Sequence, residues 1–306
     1  TEKPLGFAGQ QFDRGSLIIL KAGNESNFSA LADFFQTYQA DVTAIPTGFS
    51  EGGIDFGSDK IHLLKKMNVL LVTGDEAIPE AAGEIWHYFD QKIDYPLTLV
   101  NGASLSGLNL NLFDVIIFPS GNYKVLGDKE QSASLRNWIK QGGRLIALEQ
   151  AVNQVAALDW GIKLRKAEGE KADDKPGDYS ALRKYGERER DQITDFIPGA
   201  IYRVELDNSN PIAFGYPDFF FLLKQHETLI EFSKDGWNAG VIRKQAPITG
   251  FVGANLQSRI KDGTVLAVQP MGRGQVICFT DDPVFRGFWE NGNLLLLNAV
   301  FLTGTM

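Results

Sequence analysis

The sequence predicts an α/β protein built on an open, doubly wound, mostly parallel sheet. Between residues 66 and 150, short apolar runs alternate with amphipathic helical patterns, as strands buried on both faces and their crossover helices require. The links between them are short. The strand Leu145-Ile146-Ala147-Leu148 also runs straight into a helix, the turn that sits at the ligand-bearing end of such sheets.

Residues 1–65 read as an N-terminal α/β segment. Leu17-Ile18-Ile19-Leu20 is a short apolar run, Asn27-Phe28-Ser29 opens a helix through Leu31, Phe34, Phe35 and Tyr38, and Val42-Thr43-Ala44-Ile45 is the next strand. Pro46 to Ser58 is a Gly-rich connection. Residues 66–306 form the main domain, with an inserted or appended antiparallel region at about 195–272. Asn68 to Gly74 is a buried strand, followed by a helix carrying Ile85, Trp86, Phe89 and Ile93 on one face and the strand Leu97–Val100. Asp114–Phe118 is a further strand ending in Pro119-Ser120-Gly121. A helix with Leu135, Trp138 and Ile139 is then closed by Gly142-Gly143, before the strand Leu145–Leu148.

The stretch Lys166 to Asp191 carries scarcely an apolar residue and reads as a solvated loop and an exposed helix with mixed-sign pairs. Antiparallel strands follow at Ile201–Leu206, Ala239–Ile242, Gly250–Gly253 and Thr264–Val268. Val276–Phe279, the loop Asp281-Asp282-Pro283 and a helix from Leu294 to Leu302, expected to pack back on the sheet, end the chain.

With 306 residues the chain can bury about three quarters of its unfolded surface. Its net charge of −8 and lack of a Lys/Arg stripe argue against nucleic acid as a partner, and no apolar run approaches a membrane span. Cys278, the single cysteine, lies in a buried strand and reads as a small core hydrophobe. The chain begins at Thr1 with no basic-then-apolar leader, so it is expected to be cut from something longer.

No cofactor is expected in this chain. His62, His87 and His226 stand in none of the spacings that bring zinc ligands together, and His226-Glu227 does not meet the rule. Gly52-Gly53, Gly57 and Gly272-Arg273-Gly274 are turn glycines, not phosphate loops. In open α/β sheets the ligand crevice lies at the C-terminal strand ends, which gathers Gly74, Asp75, Glu76, Ser120, Gly121, Asn122, Glu149 and Gln150 as lining of one candidate cleft. Ser120 is the one hydroxyl in a suggestive position, with no histidine following in a convincing context. Glu149, Asp281 and Asp282 would make a carboxylate set for glycoside hydrolysis if they converged. Tyr216, Phe219, Phe220, Phe221 and Trp237, with Phe285, Phe288 and Trp289, form two aromatic clusters read as core, with a sugar or protein contact surface as the alternative.

The segments Val69–Gly74, Phe113–Gly121 and Leu135–Glu149 together resemble the class I glutamine amidotransferase-like superfamily, over about Lys66 to Gly161. The resemblance implies a flavodoxin-like sheet with a Cys nucleophile at the strand-to-helix elbow. Glu149 matches that position, so amidotransferase catalysis is not expected. The segments Tyr185–Arg190, Ile197–Arg203, Asn210–Pro217 and Asp281–Trp289, before Asn298-Ala299, resemble the region after the catalytic domain of large bacterial zinc carboxypeptidases of the carboxypeptidase A type. This second resemblance implies a secreted or periplasmic peptidase whose catalytic domain lies outside the present sequence. The family's His-x-x-Glu metal motif matches nothing here, so no zinc ligand carries over. The expected function is a non-catalytic accessory or interaction module, its partner being the parent protein's own catalytic domain, with a homo-oligomer as a further option. The alternative is a small-molecule hydrolase or ligand-binding domain with Glu149 as general base.

Overall fold

The structure, a computed structural model, describes residues 1–7, 9–37, 41–166, 184–244 and 247–304. It divides into two compact units, Thr1–Leu64 and Lys65–Gly304.

In the first unit β1 (Leu5–Phe7) pairs antiparallel with β2 (Gln10–Phe12). After α1 (Phe28–Thr37), β3 (Gly52–Gly53) pairs with the other edge of β1. Gly53 has a φ of +86°, and a Cβ there would stand 2.4 Å from the Pro4 carbonyl oxygen, so the close approach of β3 needs glycine. Phe7 is buried and meets Phe56 edge-on with centroids 5.2 Å apart. Helix α1 matches the expected one, Tyr38 lying outside the described residues. The expected strands at Leu17–Leu20 and Val42–Ile45 do not form. Leu17, Leu20 and Val42 are more than half exposed. A four-residue apolar run becomes a buried strand only where neighbours cover both faces, and among the described residues of this unit no parallel sheet supplies that cover.

In the second unit β4 (Val69–Thr73), α2 (Pro79–His87), β5 (Thr98–Asn101), β6 (Val115–Phe118), α3 (Lys124–Gly127), α4 (Lys129–Lys140), β7 (Arg144–Leu148) and α5 (Gln150–Ala157) succeed one another. Next come α6 (Arg188–Thr194), β8 (Gly199–Leu206), β9 (Phe219–Lys224), β10 (Trp237–Ile242), β11 (Thr249–Phe251), α7 (Ala254–Gln257), β12 (Gly263–Met271), β13 (Gly274–Phe279) and α8 (Asn293–Phe301). The parallel strands lie side by side as β5-β4-β6-β7-β13. In chain order that is 2-1-3-4-5, the flavodoxin-like arrangement, with its switch point between the first and third strands. The fold class is therefore the expected one. Beyond β13 the sheet continues antiparallel through β12, β10 and β8, with β9 along one edge of β8 and β11 at the other.

The pleat sends alternate side chains into two cores. Leu71, Ile117, Ile146 and Ile277 join residues of α2 and α8, while Leu70, Ile116, Leu145 and Val276 join those of α4 and α5. Each such Leu, Ile or Val contributes about 1.5–3 kcal/mol by leaving water. Helix α4 shows why the local sequence folds as it does. Asp128 caps it by accepting from the Gln131 amide at 2.7 Å, and Leu135, Trp138 and Ile139 share its buried face. Gly143 follows because a Cβ there would come within 2.3 Å of the Trp138 ring.

Some expectations need correction. Trp86 is 49% exposed, while Ile85 and Phe89, four residues apart, take the buried face. The Phe219–Phe221 part of the expected aromatic core cluster belongs to β9, whose alternating burial marks a one-sided strand. Trp237 and Phe288, expected in the core, are 58% and 62% exposed. Of the charged stretch Lys166 to Asp191, residues 167–183 lie outside the described residues, and α6 is solvent-facing as expected.

Helix α8 packs back on the sheet through Leu295, Leu296, Ala299 and Val300. The buried Arg144 guanidinium donates to the Ala299 carbonyl at 3.0 Å and to that of Val300, satisfying the helix's C-terminal carbonyls. Burial lowers the pKa of Arg144 to about 10, against the opposing pull of Asp114. Among the described residues no helix is long and apolar enough to cross a membrane.

Candidate functional site

The turn between β7 and α5 is a single residue, Glu149, with φ +49° and ψ −113°. A non-glycine residue held there costs about 1–3 kcal/mol, and the surroundings fix it. Its N–H donates to the Phe279 carbonyl at 2.9 Å, and its carbonyl accepts from Val152 at 3.0 Å. With both backbone groups engaged, the side chain is the part left to project from the sheet edge. It meets Ser120, buried at the end of β6, in a side-chain hydrogen bond.

The neighbouring strand β13 ends in Thr280-Asp281-Asp282. Asp281 is 3% exposed and accepts from Lys224 Nζ at 2.9 Å, from Thr280 Oγ1 at 2.6 Å and from the Gln225 amide at 3.4 Å. Lys224 is fully buried at an inward position of β9, and its ammonium also donates to the Thr228 carbonyl at 2.9 Å. His226 Nε2 lies 3.7 Å from Asp281 Oδ1, beyond hydrogen-bond reach. Both ring nitrogens of His226 are buried without a hydrogen-bond partner, while the side chain as a whole stays 30% exposed, so its carbon edge faces solvent. Asp282 accepts from the Val284 amide at 2.8 Å, and its carboxyl lies beside that of Glu84 on α2.

Asp281 pairs with the one ammonium, Glu149 and Asp282 lie close enough to interact with Glu84 and each other, and the carboxyls of Glu149, Asp281 and Asp282 shift in different directions. Burial first, and then the charge of Asp281, push the Glu149 carboxyl up to about 7, with the Ser120 hydrogen bond working the other way. For Asp281 burial acts to raise the pKa, but Lys224, His226 and the Thr280 hydroxyl together bring it below the ordinary range. Burial and the adjacent Glu84 carboxyl raise Asp282 well above that range. Burial lowers His226 toward the neutral imidazole, while Asp281 opposes this. The cluster can hold and exchange protons near neutrality. It offers no thiol or activated hydroxyl for acyl transfer. Cys278 is fully buried in β13, where burial pushes its thiol up to about 12. Among the described residues no group of three or more His, Cys, Asp or Glu side chains is placed to hold a metal ion, so this donor set does not fit zinc.

The predicted lining residues fall in different places. Ser120 and Glu149 meet. Glu76 lies beside Gly121 and Asn122, its carbonyl accepting from the Asn122 amide at 2.8 Å and its carboxylate from the Lys124 amide at 3.3 Å. Gly121 pairs with Ala77, and Asn122 Oδ1 accepts from Gln154 Nε2 at 2.9 Å. Gly74 and Asp75 line a groove of about 620 Å³ with Trp86 and Leu99, to which Glu149 does not contribute. Gln150 is exposed at the start of α5.

Sequence reasoning did not find Glu84 or Lys224, nor the approach of His226. A usable signal existed for Lys224, which follows Phe220 and Leu222 at inward positions of β9, where a lysine needs a buried partner.

Neither a protein-family model nor a curated protein matches the chain. Solved structures do. A GMP synthase component from Thermoplasma acidophilum is 12% identical, with a TM-score of 0.46, over 76% of this chain and 92% of that one. A ThuA-like protein from Parabacteroides merdae is 11% identical, with a TM-score of 0.49, over 77% and 89%. A glutamine amidotransferase from Thermotoga maritima is 9% identical, with a TM-score of 0.45, over 77% and 96%. The flavodoxin-like assignment rests on the strand order of the sheet itself.

Proposed function

We propose that this chain is a non-catalytic module of a secreted or periplasmic zinc carboxypeptidase, acting on the stability or substrate access of a catalytic domain elsewhere in the same protein. The observation that carries the non-catalytic reading is Glu149, a half-buried carboxyl at the turn that bears the nucleophile in acyl-transfer folds. In ionised form it would repel the negative charge that develops at an oxyanion. Loss of a single oxyanion donor already costs about 2.7–4 kcal/mol, and a fixed negative charge works in the same direction. Protonated, it is a hydrogen-bonding group without nucleophilic strength.

The peptidase parentage is supported by the sequence segments that resemble that family, and these segments have structural tasks here. Asn210 caps the turn Pro211–Ala213, whose Ile212 carbonyl accepts from Asn298 of α8 at 3.0 Å. Asp281 binds Lys224, and Asp282 accepts from the Val284 amide. The test compares the full peptidase with a form lacking this chain. Per-zinc turnover on a short peptide is expected to survive the deletion, while thermal stability or the range of accepted substrates changes. Complete loss of turnover in a deletion form that still folds and holds its zinc would overturn the reading.

A further inference from the structure

We propose that the groove between α4 and the turns that follow β5 holds an extended, uncharged peptide segment by its main chain. The groove has a volume of about 530 Å³. One rim is α4, from which Gln131, Ser134, Asn137 and the closing residue Gln141 line it. Spaced three, three and four residues apart, these four share one helix face. The other rim is Ser106, Asn109 and Asn111, carried by the 3-10 turns Gly102–Gly107 and Leu110–Leu112 and the link between them.

The rims are polar, neutral and not consumed by the fold. Glu130 is the one charged residue in the lining, although the chain has a net charge of −8 and α4 also bears Lys129, Arg136 and Lys140. The side-chain amides of Asn111, Gln131, Asn137 and Gln141 have no hydrogen-bond partner among the described residues. Amides elsewhere in the unit have structural tasks. Gln154 Nε2 donates to Asn122 Oδ1 at 2.9 Å and to the Tyr123 carbonyl at 3.0 Å, and Asn298 Nδ2 donates to the Ile212 and Phe214 carbonyls at 3.0 and 2.8 Å.

A side-chain amide offers a donor and an acceptor in one plane, the complement of the N–H and C=O that a peptide main chain presents. From Gln131 to Gln141 the α4 rim runs about 15 Å, the reach of about four or five extended residues. Leu108 and Leu110, also in the lining, are half-buried and pack on the core beneath, which gives an apolar side chain of the occupant a contact. A charged side chain would meet no partner there except Glu130. An oligosaccharide fits less well, because sugar rings pack on exposed aromatic faces. Trp138, the one aromatic residue in the lining, is 5% exposed, and its indole N–H already donates to the Phe113 carbonyl at 3.1 Å.

NMR of the side-chain amides of the purified chain reads occupancy directly. The probe is a five-residue peptide of alternating serine and leucine, blocked at both ends. It should shift the Asn111, Gln131, Asn137 and Gln141 amide signals in one saturable titration with a midpoint below about 10 mM, and N-methylation of its backbone should abolish the shift. Gln131→Ala and Asn137→Ala, at exposed or half-exposed helix positions that accept Ala, should each weaken binding about fivefold, the worth of one hydrogen bond. Gln150→Ala, at the start of α5, should leave the affinity unchanged. Binding by the purified chain requires no catalytic domain, so its outcome is separate from that of the deletion experiment on the peptidase. The absence of a saturable shift, binding that survives N-methylation, or full affinity in both Gln131→Ala and Asn137→Ala would overturn the proposal, as would an equal loss in Gln150→Ala or tighter binding of cellopentaose than of the peptide.

Discussion

Replacing Glu149 by Gln should stabilise the protein, and only above acid pH. Lifting this carboxyl from its ordinary 4.5 to about 7 means that the folded state binds a proton the unfolded chain has released across that interval. Stability therefore falls as pH rises through the window and levels off above it. The interval corresponds to about 3 kcal/mol at most, and partial exposure of the side chain reduces this to about 1–2 kcal/mol. Gln carries no charge, fits the same turn and can keep the hydrogen bond to Ser120. Urea unfolding of both proteins from about pH 4.5 to about pH 8 measures the difference, and the two should nearly coincide at the acid end while the variant gains about 1–2 kcal/mol at the alkaline end. For a unit of this size that is roughly 2–8 °C in Tm. A difference that does not change with pH, or a variant less stable at about pH 8, would refute the reasoning.

Three further outcomes are expected. Lys224→Met strips the buried Asp281 of its cation and should cost about 3–5 kcal/mol, with Asp281→Asn on the same background recovering part of it; chemical denaturation checks both. Arg144→Met removes the donors that hold the C-terminal carbonyls of α8 and should cost about 3 kcal/mol, read as earlier thermal unfolding of the second unit. After dialysis the isolated chain should hold far less than one zinc per molecule by elemental analysis, and a tightly held stoichiometric zinc would contradict the donor set described.

The parallel part of the sheet was legible because its strands are apolar on both faces. Val69–Val72, Val115–Phe118 and Leu145–Leu148 stand as unbroken hydrophobic runs between recognisable helices, and the Gly142-Gly143 stop places the β7–α5 elbow unambiguously. Leu17–Leu20 carries the same local signal and forms no strand, because burial depends on neighbours that the run itself does not encode. Strand β9 was hidden by six consecutive residues, five of them apolar, in which outward Phe219 and Phe221 mask the alternation.

The site was legible at Glu149 and Ser120, whose positions follow from strand ends. Its charge partners were not. Lys224 and Asp281 are 57 residues apart and meet only because β9 and β13 belong to one sheet. Glu84 lies near the end of an ordinary amphipathic helix, and nothing in its local sequence distinguishes it from a solvated carboxylate.

On the proposed reading, the carboxyl at the β7–α5 elbow stands in place of a nucleophile and the module has no chemistry of its own. Turnover of glutamine, peptide, amide and ester substrates by the purified chain, measured beside Glu149→Gln across the range in which Glu149 titrates, tests it most directly. Rates for both proteins should equal the buffer background at every pH. Turnover in the wild type that follows a titration near 7 and disappears in Glu149→Gln would show a working general base and contradict the account.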